Sequence, residues 1–464
     1  MRFSVITLGC DKYTVDSERI VATLVGHGAS YTPAADDAEV LLVNTCGFID
    51  AAKQESIDTL LEAARLKDTG QLRVLVAVGC LVEQYRCELE QSLPEVDLFL
   101  GLKDLAELVP QLVMRGLLDG RVEKHPGSRL PTGGLRHISY LKISEGCDHK
   151  CAFCAIPMWR GRHRSFQPEA LVREAQALEE RGVVELNLVA QDLAHYGRDL
   201  GGGAGLHRLL ERLLESTAIP WFRLLYIYSA GLRPSLVEMI GREDRVLPYI
   251  DMPIQHGSAR MLERMRRPER PAQLRDKIAW LRSEIPGLTL RTTVVVGFPG
   301  EGEEDFEALL DFIGAIEFDH LGAFAYSPQS GTPGAEMPDR VPESVKMERL
   351  SLVNELQRSI VAGRNAVRIG SRFQVLVDRL AEPDGATAQL EARLRSQAYE
   401  IDGVTYVSDP GGKLGIGDLG VVTVTNADDA DLWAVAEERV PPAARHAVVA
   451  ADSAGLDLKT VWGR

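Results

Sequence analysis

The chain is 464 residues long, 45% hydrophobic and 26% charged, the balance of an ordinary globular protein with length for two to four domains. That composition excludes a fibrous repeat and extended disorder, and no apolar run approaches the roughly 18 residues that span a bilayer. Against 67 Asp and Glu stand 52 Lys and Arg, a net charge of -15 that excludes a general affinity for phosphate backbones. A basic protein partner fits that charge at least as well as a local RNA contact. Residues 1–12 contain no signal-peptide h-region, so a cytoplasmic location with no membrane partner is expected.

In chain order, residues 3–8, 39–43 and 72–78 are short apolar runs that read as buried parallel strands, with helical periodicity at 53–66 and 105–117. They predict an open parallel α/β domain over residues 1–130. Each strand runs into a cysteine-bearing turn, at Cys10, Cys46 and Cys80. Because the C-terminal ends of parallel strands form one ligand edge, three thiols far apart in sequence can converge there. The polar, Gly- and Pro-containing stretch 126–134 reads as a linker. Strand patterns at 139–143, 185–189, 221–225, 249–252, 289–295 and 320–325 then alternate with helical ones at 168–181, 206–215, 234–240, 272–284 and 304–316. Such a repeat, within a domain over 136–366, predicts a full or partial TIM-like (βα) barrel with its site at the strand C-termini. A charged helix over 342–368 leads into short strands at 372–379, 391–394, 404–407, 420–425 and 432–436. Residues 367–436 therefore predict a small antiparallel β-barrel of OB-like size, followed by a tail over 437–464 without a functional signal.

All seven cysteines lie at or before Cys154, and their odd number argues against a disulfide framework. Cys147, Cys151 and Cys154 form a C-x3-C-x2-C run just after the first barrel strand. Three thiolates on one tight loop ligate three irons of a 4Fe-4S cube and leave the fourth open. Zinc is the competing reading, with His149 as a further ligand, but structural zinc sites usually take four ligands in C-x2-C pairs. Cys87, in a helical stretch away from the strand ends, reads as a packing residue. At other strand ends, Gln191 and Asp192 either face the site or supply a helix cap. Gln255 and His256 either orient a substrate or satisfy a turn, and with no carboxylate partner visible for His256 no catalytic base is assigned. The turn from Gly297 to Glu301 either presents backbone amides to a ligand or is a plain helix entry.

The C-x3-C-x2-C loop resembles that of the radical S-adenosylmethionine enzymes, whose open iron binds the amino and carboxylate groups of the cofactor. The resemblance implies that Phe153, just before the last cysteine, lies near the adenine, and that Gln191, Gly297 and Glu301 contribute to cofactor binding. With Cys10, Cys46 and Cys80 added, the chain resembles the methylthiotransferases, which carry a second 4Fe-4S cluster on three N-terminal cysteines and end in a small β-barrel called TRAM. The runs Thr7-Leu8-Gly9-Cys10-Asp11-Lys12, Asn44-Thr45-Cys46-Gly47-Phe48-Ile49-Asp50 and Tyr399-Glu400-Ile401-Asp402-Gly403 look like the branch that modifies a ribosomal protein. That branch implies two 4Fe-4S clusters and S-adenosylmethionine as cofactors, and a substrate carbon that is the β-carbon of an aspartate in small-subunit ribosomal protein S-twelve. It also implies an electron donor such as flavodoxin or ferredoxin. The alternative branch acts on a tRNA purine; a third reading is a non-enzymatic, metal-stabilised ribosome- or RNA-binding module. Two cysteine sets, each one ligand short of a closed site, weigh against the third. Residues 367–464 carry 15 Asp and Glu against 10 Lys and Arg, and an acidic barrel repels tRNA while attracting a basic protein.

Overall fold

The computed structural model describes residues 1–121, 129–201, 204–382 and 388–441. Strands β1 (Arg2–Thr7), β2 (Ser30–Tyr31), β3 (Val40–Thr45), β4 (Val74–Gly79) and β5 (Leu98–Leu100) form one parallel sheet in the order β2-β1-β3-β4-β5. Val40, Leu42, Val74 and Val76 join an apolar core on one face, and Leu41, Val43, Leu75 and Ala77 join another on the opposite face. Both faces are covered, which is why these strands read as unbroken apolar runs instead of alternating ones. The edge strands β2 and β5 are too short to leave a pattern. Helices begin at Asp11 after β1, at Asp50 after β3 and at Cys80 after β4, so the cysteine turns sit between strand C-termini and helix N-termini.

The central unit opens with β6 (Ile138–Lys142) and a small antiparallel pair, β7 (Ser144–Glu145) with β8 (Arg164–Ser165). It continues with β9 (Glu185–Val189), β10 (Trp221–Leu224), β11 (Val246–Asp251), β12 (Thr289–Val296) and β13 (His320–Ala325). Strands β6 and β9 to β13 lie side by side in chain order, all parallel and open between β6 and β13, which selects the partial over the full barrel. Leu186, Leu188, Phe222, Leu224 and Ile250 pack outward under the helices. By the two-residue period of a strand, Glu185, Asn187, Arg223, Tyr249 and Asp251 line the inner face.

Helix Glu343–Ala366 leads to β14 (Arg372–Leu380), β15 (Leu390–Leu394), β16 (Thr405–Ser408), β17 (Leu419–Ala427) and β18 (Leu432–Val440), which close into a barrel in the order β14-β15-β16-β18-β17. Four seams are antiparallel and the fifth, β16 with β18, is parallel. Five strands cannot close a ring with every neighbour antiparallel, so one parallel seam is required by the count. Residues 437–440, expected in the tail, extend β18, and 442–464 lie outside the described residues.

This barrel plugs the inner face of the central sheet. Trp221, Leu225, Leu247 and Tyr249 share an apolar cluster with Leu376 and Ala398. Arg393 pairs with Glu185 at 2.6 Å and Asp378 at 2.6 Å, while Arg223 reaches Glu185 at 2.7 Å. The stretch 126–134, expected to be a linker, is corrected in part: Arg129 is 2% exposed and donates to Glu18 at 2.8 Å and to Glu174 at 2.7 Å. It clamps helix Asp11–Gly26 to helix Pro168–Glu180. Removing one partner of such a buried pair costs about 3–5 kcal/mol, so local polarity was a poor guide to flexibility there. Residues 126–128 lie outside the described ones. No helix among the described residues is long and apolar enough to cross a membrane.

Candidate metal centres

Cys10 caps the N-terminus of helix Asp11–Gly26, Cys46 follows β3, and Cys80 opens helix Cys80–Ser92. Since β1, β3 and β4 are neighbours, the three turns meet at one edge of the sheet. Cys10 is exposed whereas Cys46 and Cys80 are buried, so the set opens on one side. Burial pushes the Cys46 thiol up and that of Cys80 to about 11. The Phe48 amide and the Tyr13 hydroxyl point at the Cys46 sulfur, and Tyr13 also at Cys80, donors that favour thiolates.

The second set lies on the loop between β7 and helix Ile156–Arg160. The Cys147 amide donates to Gly161 O at 3.1 Å and the Cys154 amide to Cys151 O at 3.2 Å, which folds the loop back on itself. Burial raises Cys147 to about 11 and Cys154 to about 12, and the His149 and Ile156 amides oppose this by pointing at the two sulfurs. Each set offers three thiols where a closed structural zinc site takes four ligands, which suits a cluster with one iron left open.

His149, the candidate zinc ligand, turns elsewhere. Its Nε2 lies 2.8 Å from Asp192 Oδ2, and its ring stacks on Tyr228 at 4.1 Å. Arg267 covers the other side of Tyr228 at 3.9 Å and reaches to 3.8 Å from the Cys151 sulfur. Burial alone would raise the Asp192 carboxyl, but hydrogen bonds from His149 and His195 outweigh it and hold the group well below the carboxylate range. Asp192 also accepts from the Ala194 amide at 3.0 Å, so it caps the following turn and orders the site at once.

Between the two sets lies a buried ionic cluster that sequence reasoning missed. Arg160 Nη1 is 3.2 Å from Asp16 and 2.9 Å from Glu145; Lys142 binds Glu145 at 2.6 Å and also Asp16. The Arg160 guanidinium lies 5.0 Å over the Tyr13 ring, and Ala155 and Trp159 pack in the same apolar core as Cys46 and Cys80. The loop after Cys154 is thus embedded in the core of the N-terminal unit, which joins the two cysteine sets through shared packing. Polar residues inside apolar runs were the only sequence signal, and they carry no partner information.

Gln191 sits on this cluster, donating to Glu145 at 3.1 Å, and its Oε1 is buried without a hydrogen-bond partner among the described residues. Phe153 packs partly buried beside Ala152, Met265 and Phe298. Gly297 and Glu301 meet: the Gly297 amide donates to Glu301 at 2.8 Å, and Arg349 takes the other carboxylate oxygen at 2.8 Å. His256 Nε2, 3.3 Å from Glu301, has after all a carboxylate partner, 45 residues away in sequence. Cys87 is exposed on helix Cys80–Ser92, which corrects its reading as a packing residue. A cavity of about 560 Å³ lined by Arg291, His320, Gln357 and Asp402 contains none of the cysteines.

A partial barrel with a three-cysteine loop at its strand ends, joined to a second three-cysteine edge and a closed C-terminal barrel, defines a radical S-adenosylmethionine enzyme with an auxiliary centre. Family models agree: residues 2–101 match the uncharacterized protein family UPF0004, 141–313 the radical SAM superfamily and 369–436 the TRAM domain. Two curated proteins named ribosomal protein uS12 methylthiotransferase RimO are close relatives. The one from Anaeromyxobacter sp. (strain Fw109-5) is 43% identical over 95% of this chain and 94% of its own, and that from Desulforudis audaxviator (strain MP104C) 44% over 88% and 91%. The chain belongs to this RimO family. A solved structure, the radical S-adenosylmethionine methyltransferase TsrM from Kitasatospora setae, superposes with a TM-score of 0.51 at 13% identity over 72% of this chain and 75% of that one, which supports the fold alone.

Proposed function

We propose that the chain methylthiolates the β-carbon of an aspartate in ribosomal protein uS12. Its cofactors are two 4Fe-4S clusters and S-adenosylmethionine, with Cys147, Cys151 and Cys154 holding the radical cluster and Cys10, Cys46 and Cys80 the auxiliary one. The observation that carries the reading is that two three-thiol sets, each one ligand short, are joined through one core, where Ala155 and Trp159 of the second loop pack with Cys46 and Cys80. When these groups are bound, the radical site supplies hydrogen-atom abstraction from the substrate and the auxiliary site the sulfur that replaces it. The chain's own residues do the rest. Phe153 and the open acceptor of Gln191 would bind the cofactor, while Glu301, gripped by Gly297 and Arg349, would fix the turn beside it. The C-terminal barrel, packed under Trp221 and Tyr249, closes the base of the sheet against water. A small carrier such as flavodoxin or ferredoxin supplies electrons, and a ribosomal substrate sets a cytoplasmic location.

The tRNA alternative is not favoured. Arg393 is buried in ion pairs and Arg395 donates to Asp244 O, so these barrel cations dock the domain and offer nothing to a phosphate backbone. The test is peptide mass spectrometry of uS12 after incubation with anaerobically reconstituted enzyme, reductant and S-adenosylmethionine. A methylthio gain on one aspartate is expected. Accumulation of 5'-deoxyadenosine without that gain would overturn the substrate and leave the radical chemistry standing.

A further inference from the structure

The reaction proposed above takes place one bond from a carboxylate, and a carboxylate drawn into a closed cleft needs a cation. The cations nearest the two cysteine sets are mostly committed. Lys142 and Arg160 share Asp16 and Glu145; Arg267 pairs with Glu269 at 3.1 Å, and Arg291 with Asp251 at 3.1 Å. Lys12 is different. It is 7% exposed, yet its ammonium makes no ion pair and no side-chain hydrogen bond among the described residues; the contact it has is with the face of Tyr226, 3.5 Å from the ring centroid. Its neighbour Asp11 feels the Lys12 charge and takes a hydrogen bond from the Tyr140 hydroxyl, without closing to an ion pair with the lysine.

The placement is also specific. Lys12 lies two residues from Cys10 in the first turn of helix Asp11–Gly26, and Tyr226 follows the C-terminal end of β10, so the pair spans the ends of both sheets. Tyr226 holds φ at 67°, a left-handed conformation that a side chain disfavours. Hydrogen bonds from its amide to Asp251 at 3.2 Å and from the Leu193 amide to its carbonyl at 3.0 Å fix it there. Strain maintained at the mouth of a site is a mark of function; here it sets an aromatic face under a buried ammonium.

We infer that Lys12 binds the side-chain carboxylate of the substrate aspartate and holds its β-carbon on the Cys10 side of the cleft. The inference rests on the proposed function. It explains how the enzyme selects aspartate: asparagine has no charge to satisfy the lysine, and glutamate places its carboxylate one methylene farther from the backbone.

The experiment compares the reconstituted wild-type enzyme with Lys12→Met and Lys12→Arg, using uS12 and uS12 whose target aspartate is replaced by asparagine. Binding is read by fluorescence anisotropy, iron content and electron paramagnetic resonance report the clusters, and 5'-deoxyadenosine reports cofactor cleavage. Lys12→Met is expected to weaken binding of the aspartate substrate by about tenfold or more and to bind the asparagine form as wild type does. Iron content, the cluster spectra and cofactor cleavage are expected to be unchanged, with Lys12→Arg restoring part of the affinity. Equal binding of aspartate substrate by Lys12→Met and wild type overturns the inference. So does an altered auxiliary-cluster spectrum with substrate affinity intact, since the lysine then serves the cluster. If the wild type itself gives no methylthio-aspartate, the proposed function falls and takes this inference with it.

Discussion

Cys10, Cys46 and Cys80 reach one edge only because β1, β3 and β4 lie side by side in parallel, whereas Cys147, Cys151 and Cys154 are neighbours on a single loop. The first set is held by sheet register, the second by one short loop pinned through the Cys147 amide to Gly161 O and the Ala152 amide to Met265 O. Damage to one therefore need not reach the other, even though the ionic cluster of Asp16, Lys142, Glu145 and Arg160 packs between them. Under the proposed function the same contrast separates their chemistry, cofactor cleavage at the loop-held set and sulfur supply at the register-held one.

The largest effect that sharpens this contrast comes from the ligands themselves. Cys151→Ala is expected to abolish formation of 5'-deoxyadenosine, whereas Cys46→Ala keeps that cleavage and loses methylthio transfer. Both products are measured in one assay by liquid chromatography with mass spectrometry. Methylthiolated uS12 from Cys46→Ala would remove the auxiliary role altogether.

A smaller, graded effect follows from two glycines. Gly79 pairs with Thr45 across β3 and β4 at φ 109°, and a Cβ there would stand 2.4 Å from Thr45 O. Gly146, just before Cys147, has φ 78°, and a Cβ would stand 2.1 Å from Arg162 O. Either alanine forces the backbone to move, at a conformational cost of roughly 1–2 kcal/mol before the clash is counted. Gly79→Ala is expected to lose the auxiliary cluster and Gly146→Ala the radical one, each leaving about four of about eight irons per chain. Loss of all iron from either variant would show that the two sites fold as one.

The contrast also explains what the sequence could reveal. The C-x3-C-x2-C loop is local, so spacing alone exposed it; the N-terminal set became legible only once three apolar runs were read as adjacent parallel strands. The six central strands and the five of the C-terminal barrel were likewise marked by apolar patterning. What stayed hidden is long-range pairing of polar groups: Arg129 with Glu18 and Glu174, His256 with Glu301, Lys142 with Asp16. Arg393 illustrates the reason, since it stands between Glu391 and Arg395 in sequence while its partner Glu185 lies 208 residues away on the central sheet. No periodicity encodes which buried cation meets which buried anion, and the cleft is built from such pairs.

The smallest effect concerns the seventh thiol. Cys87 lies seven residues after Cys80 on helix Cys80–Ser92, two turns on and so near the same face, which makes it the natural rival ligand. Two turns also place it about 10 Å along the axis, and the helix kinks between them at Tyr85, where φ is -118° and ψ 22°. Cys87→Ser is therefore expected to keep the full iron content and to change stability by less than about 0.5 kcal/mol. Thiol labelling of the metal-free protein adds an independent reading: exposed Cys87 and Cys10 should react with iodoacetamide well before buried Cys80 and half-buried Cys154. Burial favours the neutral thiol, so the stability these two lend the metal-free fold is complete below the ordinary thiol range and is lost as pH climbs through about 11 for Cys80 and about 12 for Cys154. Their labelling should accelerate over that same interval. Iron lost from Cys87→Ser would instead move the auxiliary centre off the strand edge and onto the helix, and the division of the chain into a register-held and a loop-held site would fail with it.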